Sequence, residues 1–257
     1  MTTEVVTTIC MKSIFRALDI LHEDGDLVVL TKPAGVPSVH DGNRPDAPDL
    51  ASLIESDFGD VWPVHRLDLE TSGVIVFARN EQAHRVLSEQ FETRAIEKTY
   101  HALLAGNPPW TERDVDAPLS VDADRKHRTL VDAKDGKPSF TRFVVLERLL
   151  SKSKGVTLVE ALPETGRTHQ IRAHALSLGF PIVADALYGN SKPIYLSALK
   201  RDYRPNMNEQ EERPLMGRVA LHALRLKLTH PTTGEALTFE APYAKDFAAT
   251  LNQLRKL

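Results

Sequence analysis

Only one cysteine, Cys10, occurs among 257 residues, which excludes an internal disulfide framework and any cysteine-built zinc site and fits a reducing cytoplasm. Charge of a single sign is lacking as well: 32 Lys and Arg stand against 35 Asp and Glu, for a net charge of −3. A uniformly basic nucleic-acid binder is therefore excluded, whereas a locally basic cleft is not. Long hydrophobic runs are missing, because charges or prolines interrupt every apolar stretch before it could span a membrane. The stretch Met1 to Met11 has neither the basic start nor the apolar core of a secretory signal. There is no P-loop and no GxGxxG, so no nucleotide cofactor is implied, and Ser72 does not sit in a GxSxG elbow. His169 and His174 cannot share a metal ion on a helix, since a spacing of five residues turns them about 140° apart.

What is present is a chain with 42% apolar residues, enough for a globular core. Leu18 to His22 and Leu27 to Thr31 flank Glu23-Asp24-Gly25-Asp26, a hairpin pattern. Lys32 to Pro37 and the polar stretch His40 to Asp49 read as loops. The spacing of Leu50, Leu53, Ile54 and Phe58 predicts a helix capped by Asp49, and Asn80 to Arg94 predicts another capped by Asn80. Strands are expected at Val74 to Ala78, Glu97 to Ala105, Arg128 to Ala133, Ser139 to Leu149, Val156 to Leu162, Val219 to Thr229 and Ala236 to Glu240. Further helices are expected at Thr168 to Leu178, ending at Gly179 with Pro181 beyond it, and at Phe247 to Leu257. Asn190 to Gly217 is a charged, proline-bearing insertion with a helical look around Leu196 to Lys200. Strands and helices intermingle without regular βα alternation, which points to an α+β fold with a mostly antiparallel sheet and flanking helices.

Two stretches carry chemistry. In His65-Arg66-Leu67-Asp68-Leu69-Glu70-Thr71-Ser72-Gly73 a carboxylate, a guanidinium and two hydroxyls sit on a turn that leads into an apolar strand. Asp68 on such a loop suits a nucleophile, a general base or an electrostatic stabiliser, although a turn aspartate bonding backbone amides explains the same residues. In Glu164-Thr165-Gly166-Arg167-Thr168-His169-Gln170-Ile171-Arg172-Ala173-His174 two arginines and two histidines gather at the start of a predicted helix. That electropositive end suits a phosphate backbone or a buried carboxylate. Solvent-facing arginines are the plainer alternative.

With both stretches in view the chain resembles the RluA-type family of RNA pseudouridine synthases. The likeness runs in order through Lys32-Pro33-Ala34-Gly35, HRLDLETSG from His65, Glu97-Lys98-Thr99-Tyr100 and TGRTHQIRAH from Thr165. It continues through Pro181-Ile182 with Asp185 and Tyr188-Gly189, then Leu221-His222-Ala223 and His230-Pro231. The resemblance implies a mixed-sheet catalytic domain with a central RNA-binding cleft, spanning residues 18–257 after a short extension at 1–17. It implies a cofactor-free, metal-free isomerase, an intramolecular transferase that breaks the N-glycosidic bond of a uridine and rejoins the base through carbon. Asp68 is then the catalytic aspartate, as nucleophile or as stabiliser of the detached base. Tyr100 stacks on the base and is a candidate for proton transfer from carbon, and Arg172 keeps the aspartate ionised. Base flipping would precede the reaction, with Arg66 filling the vacated space.

His65, Thr71, Arg167, His169 and Ile171 complete the expected RNA-binding set, and the run Arg125-Lys126-His127-Arg128 is a further basic segment for RNA. The expected partner is structured RNA, transfer or ribosomal or both, in the cytoplasm, for a monomer that needs no membrane and no obligate protein partner. Many relatives carry an N-terminal S4 RNA-binding domain, for which the residues before Leu18 are too few, so recognition is expected to fall to the catalytic domain. Two other classes stay open on the sequence: a catalytically silent RNA-binding or chaperone module, and a phosphotransferase using Asp68 as an aspartyl-phosphate. The second needs an apolar strand directly before Asp68, which Pro63 and His65 spoil.

Overall fold

A computed structural model describes residues 18–40, 48–149, 155–189, 192–200, 203 and 212–257. The 1–17 extension, residues 41–47 of the polar loop, and residues 190–191, 201–202 and 204–211 of the 190–217 insertion lie outside these residues. In chain order the elements are β1 (Ile20–Glu23), β2 (Leu27–Lys32), α1 (Leu50–Phe58), β3 (Trp62–Pro63), β4 (Ser72–Ala78), α2 (Glu81–Glu92) and β5 (Glu97–Ala105). They continue with β6 (Glu112–Asp116), β7 (Leu119–Ser120), β8 (Leu130–Val131), β9 (Phe140–Leu149) and β10 (Val156–Pro163). Last come α3 (Gln170–Ser177), α4 (Leu196–Leu199), β11 (Leu221–Thr229), β12 (Ala236–Glu240) and α5 (Lys245–Leu254). The fold is α+β with mostly antiparallel strands, as the intermingled pattern predicts. No helix among the described residues is long and apolar enough to cross a membrane.

Two compact units are distinguished, Met1–Lys98 with Ala223–Pro242 and Thr99–His222 with Tyr243–Leu257. In the first, the strand order is β1-β2-β4-β11, with β3 on β4 and β12 on β11. Every residue of β2 and β4 is buried, which explains why both read as continuous apolar runs instead of alternating ones. Their antiparallel register sets Leu30 opposite Ile75 and Lys32 opposite Gly73. The hairpin turn is closed by Asp24, whose Oδ1 accepts from the N–H groups of Asp26 and Leu27 at 2.7 and 2.9 Å. Its Oδ2 meets Nε2 of His22 and of His230 at 2.6 and 3.0 Å. Burial disfavours a charged Asp24, but these four partners outweigh it and hold the carboxyl well below the usual range.

Asp24, Asp26 and His230 stand close enough together to suggest a cation site, yet His230 Nδ1 accepts from the N–H groups of Thr232 and Thr233. The ring proton therefore sits on Nε2, facing Asp24, and the group is an internal clasp on the hairpin turn. In the same unit α1 is capped by Asp49, which accepts from the Ser52 N–H at 3.1 Å, and α2 by Asn80, which accepts from the Ala83 N–H at 2.8 Å.

The second unit orders its strands β5-β10-β9-β6, with β7 and β8 as a separate pair. Its core gathers Leu103, Leu104, Phe143, Val159, Ile182, Phe247 and Leu251. Two expectations are corrected here, and one strand is added. The strand expected at Arg128 to Ala133 shrinks to Leu130–Val131, because Asp124 and Asp132 each bind two downstream N–H groups and fold the flanking residues into turns. The helix expected from Thr168 begins only at Gln170, since His169 takes a left-handed φ of 56°. Strand β6 has no counterpart in the sequence reading: only Val115 of its five residues is buried, the composition of a charged edge strand.

Candidate active site

Asp68 sits half-buried on the loop between β3 and β4, and the loop is fixed from three sides within its unit. The Asp68 carbonyl accepts from the Thr71 N–H at 3.0 Å, closing the turn. Ser38 binds Leu67 twice, its hydroxyl donating to the carbonyl and accepting from the N–H, both at 3.0 Å. Lys32 is fully buried, and its Nζ donates to the carbonyls of Pro33, Val36 and Leu69 at 3.0, 2.7 and 3.1 Å. An ammonium taken out of water needs such partners. These bonds stitch the Lys32-Pro33-Ala34-Gly35 turn to the residue next to Asp68, and a Gly35 N–H bond of 2.8 Å to Leu69 adds to them. Gly73 ends the loop at φ 123°, and a Cβ there would lie 2.1 Å from the Ala223 carbonyl oxygen, so only glycine fits.

The other predicted residues of this loop divide by direction. Arg66 is exposed. His65 turns inward, stacked on Phe91 with ring centroids 4.6 Å apart, and its Nε2 accepts from the Val76 N–H at 3.1 Å. Burial, together with the positive charge of Lys98, pushes its pKa down to about 3, so the ring is neutral and serves as an acceptor. Thr71 is buried, and its hydroxyl has no hydrogen-bond partner among the described residues. His65 and Thr71 thus support the loop from inside.

In the second unit Tyr100 lies half-buried on β5, opposite Ala161 and packed against the apolar core. Arg172, on the first turn of α3, is nearly buried and meets Asp185 edge-on, Nε to Oδ2 at 2.7 Å and Nη2 to Oδ1 at 2.9 Å. Asp185 is fully buried, and its Oδ1 also accepts from the N–H groups of Leu187 and Tyr188 at 2.9 and 3.0 Å. Burial alone would raise its pKa, but Arg172 and the two N–H groups prevail and hold it below the ordinary carboxylate value. The guanidinium carbon of Arg172 lies 5.0 Å from the Tyr188 ring centroid.

Around α3 the polar motif faces two ways. Gln170 Oε1 accepts from the Thr165 hydroxyl and the Arg167 N–H at 2.6 and 3.0 Å, while its Nε2 donates to the Phe140 carbonyl and Thr141 Oγ1. His174 is fully buried, with Nε2 donating to the Ala117 carbonyl at 3.0 Å and Nδ1 on Thr141 Oγ1 at 2.9 Å. Its burial lowers its pKa and keeps it neutral. Ile171 is buried in the apolar core and holds the helix in place, with no exposed face for RNA. Arg167 and His169 are half-buried at the helix entrance.

Of the expected basic run, Arg128 is paired with Asp124 at 2.7 Å and His127 with Asp122 at 2.5 Å, which leaves Arg125 and Lys126 as its exposed cations. The sequence reading assigned no role to Lys32, Ser38, Asp185 or Tyr188. A lysine closing an otherwise apolar strand was the one local signal among them.

The chain is similar to known proteins over most of its length. A family model described as RNA pseudouridylate synthase matches residues 26–177. The dual-specificity RNA pseudouridine synthase RluA of Haemophilus influenzae is 39% identical over 225 residues, 87% of this chain and 92% of its own length. Its Escherichia coli K12 namesake is 36% identical, covering 88% and 93%. Ribosomal large subunit pseudouridine synthase D of Nitrosomonas europaea is 36% identical over 93% of this chain and 66% of its own length. Among solved structures, human RNA Pseudouridylate Synthase Domain Containing 4 superposes with a TM-score of 0.69 at 26% identity, covering 98% of each chain.

Proposed function

The chain belongs to the RluA-type family of RNA pseudouridine synthases, and from that premise we propose that it isomerises a specific uridine of transfer RNA, ribosomal RNA or both through Asp68. The observation that carries the assignment of Asp68 is its loop. A half-buried carboxylate stands on a turn whose backbone is bound by a fully buried lysine and a buried serine, the rigidity a reacting group needs. The relatives named dual-specificity synthases support a target in more than one RNA class.

In this reading the uridine leaves its stack, and Arg66, the exposed side chain two residues before Asp68, occupies the vacated space with its flat guanidinium. Asp68 attacks the sugar as the N-glycosidic bond breaks, or else stabilises the detached uracil; the base turns, its carbon bonds the sugar and displaces Asp68 where that had attached, and the proton of that carbon is exchanged for one on the freed ring nitrogen. Tyr100 stacks on the base and takes part in moving the proton from carbon. Arg172, held edge-on by Asp185, supplies positive charge for the reaction. Arg125, Lys126 and Arg167 bind phosphate along the RNA.

The test uses total RNA from cells in which the gene has been deleted, treated with purified enzyme and mapped for pseudouridine. Wild-type protein is expected to restore the missing sites, which names the substrate. Asp68→Asn should fold and bind RNA yet lose on the order of 10³-fold or more in rate, as for removal of a reacting group. An Asp68→Asn enzyme of near wild-type rate would overturn the assignment.

A further inference from the structure

Tyr188 lies behind Arg172 and serves no step described so far. Its ring backs the guanidinium, and its hydroxyl is buried between two other segments. The Thr129 N–H donates to the hydroxyl oxygen at 2.6 Å, and His169 Nδ1 lies 3.1 Å from it, ring edge to ring face. The hydroxyl, with its single phenolic proton, thus accepts from the Thr129 N–H and shares a second hydrogen bond with His169 Nδ1. Burial raises the Tyr188 pKa and keeps this proton in place.

Thr129 is the residue that follows the basic turn. That turn is a preformed body: the Ala123 N–H binds the Arg128 carbonyl at 2.7 Å, and Asp124 binds the N–H groups of Lys126 and Arg128 as well as the Arg128 side chain. One side chain therefore ties together the turn that exposes Arg125 and Lys126, the residue entering α3, and the arginine on the first turn of α3.

We propose that Tyr188 is a positioning residue for the isomerisation: its ring sets Arg172 and its hydroxyl sets the RNA-docking turn, so backbone binding and the charge of Arg172 share one frame. The proposal rests on the reading of Arg172 and the turn as parts of the RNA site. It separates the two contacts of one residue, which gives it a distinctive kinetic signature. Tyr188→Phe keeps the ring and deletes the hydroxyl, and should raise the apparent KM for total RNA from gene-deleted cells about tenfold while leaving kcat within about twofold. Tyr188→Leu deletes both contacts and should also lower kcat by about tenfold or more.

Combining Tyr188→Phe with Arg125→Ala and Lys126→Ala should raise KM little beyond the larger single effect, because the hydroxyl acts through those cations. Hydrogen exchange on the full chain supplies a readout independent of turnover: Tyr188→Phe should speed exchange of the Thr129 amide and spare the amides of β9 and β10. Wild-type kcat and KM in both Tyr188 variants, fully additive KM effects, or unchanged Thr129 exchange would each overturn the proposal, even with Asp68→Asn inactive. An active Asp68→Asn enzyme would instead remove the catalytic reading on which it rests.

Discussion

Lys32 and His65 show how single residues are spent on holding a loop. Lys32 places an ammonium inside the protein and satisfies it with three carbonyls, while His65 offers a neutral ring nitrogen to a strand N–H. The second has a consequence in acid. The His65 pKa is about 3 in the folded chain against 6.5 for an ordinary histidine, so the unfolded chain binds the extra proton first. Stability present above pH 6.5 is thereby lost as the pH falls toward 3, with a slope of at most about 1.4 kcal/mol per pH unit. His174, also lowered by burial, acts in the same direction. Asp24 adds its loss only below the ordinary carboxylate value of 3.8. Urea midpoints measured from pH 7 to 4.5 should therefore decline, and His65→Gln, which keeps an acceptor for Val76 without titrating, should flatten the decline. Parallel curves for the two proteins would show that His65 is not the titrating group.

At the scale of elements, the caps decide where helices start and what they attach to. Asn80 accepts from the Ala83 N–H, and its own amide donates to the Gly25 carbonyl and to Asp26 at 3.1 and 2.8 Å, so it joins α2 to the hairpin turn as well as capping it. Asn80→Ala should cost about 1–2 kcal/mol in urea unfolding and speed exchange of the Ala83 amide, a local mark that a general loss of stability would not single out. These elements were legible in the sequence because a cap, a 3.6-residue period or an all-apolar run is written within a dozen residues. Strand β6 was not, because Glu112, Arg113, Asp114 and Asp116 face solvent. It is held by pairing with β9, where Arg142 grips Asp114 through two bonds of 2.7 and 2.9 Å. The start of α3 was misplaced by two residues for a similar reason: the left-handed turn at His169 has no glycine to announce it.

On the scale of the whole molecule, a net charge of −3 means that RNA binding must depend on where the cations stand, and it should weaken steeply with salt. Arg125 and Lys126 are exposed, whereas Arg128 is engaged by Asp124. Replacing Arg125 and Lys126 together by Ala should reduce the slope of log Kd against log salt by about 1.4 to 1.8, the value expected for two lost phosphate contacts. Arg128→Ala should leave the slope nearly unchanged. A filter-binding titration at several salt concentrations distinguishes the two.

The ordered motifs from Lys32-Pro33-Ala34-Gly35 to His230-Pro231 were enough by themselves to indicate the family, and the intermingled strand and helix pattern the α+β class, since those depend on residue identity and local spacing. Which polar residues of those motifs turn inward was decided only by the tertiary structure. Lys32 finds Leu69, Gln170 finds Phe140 and Tyr188 finds Thr129 across 37, 30 and 59 residues of chain. A buried polar group is defined by its partner, and no local pattern names a partner so far away.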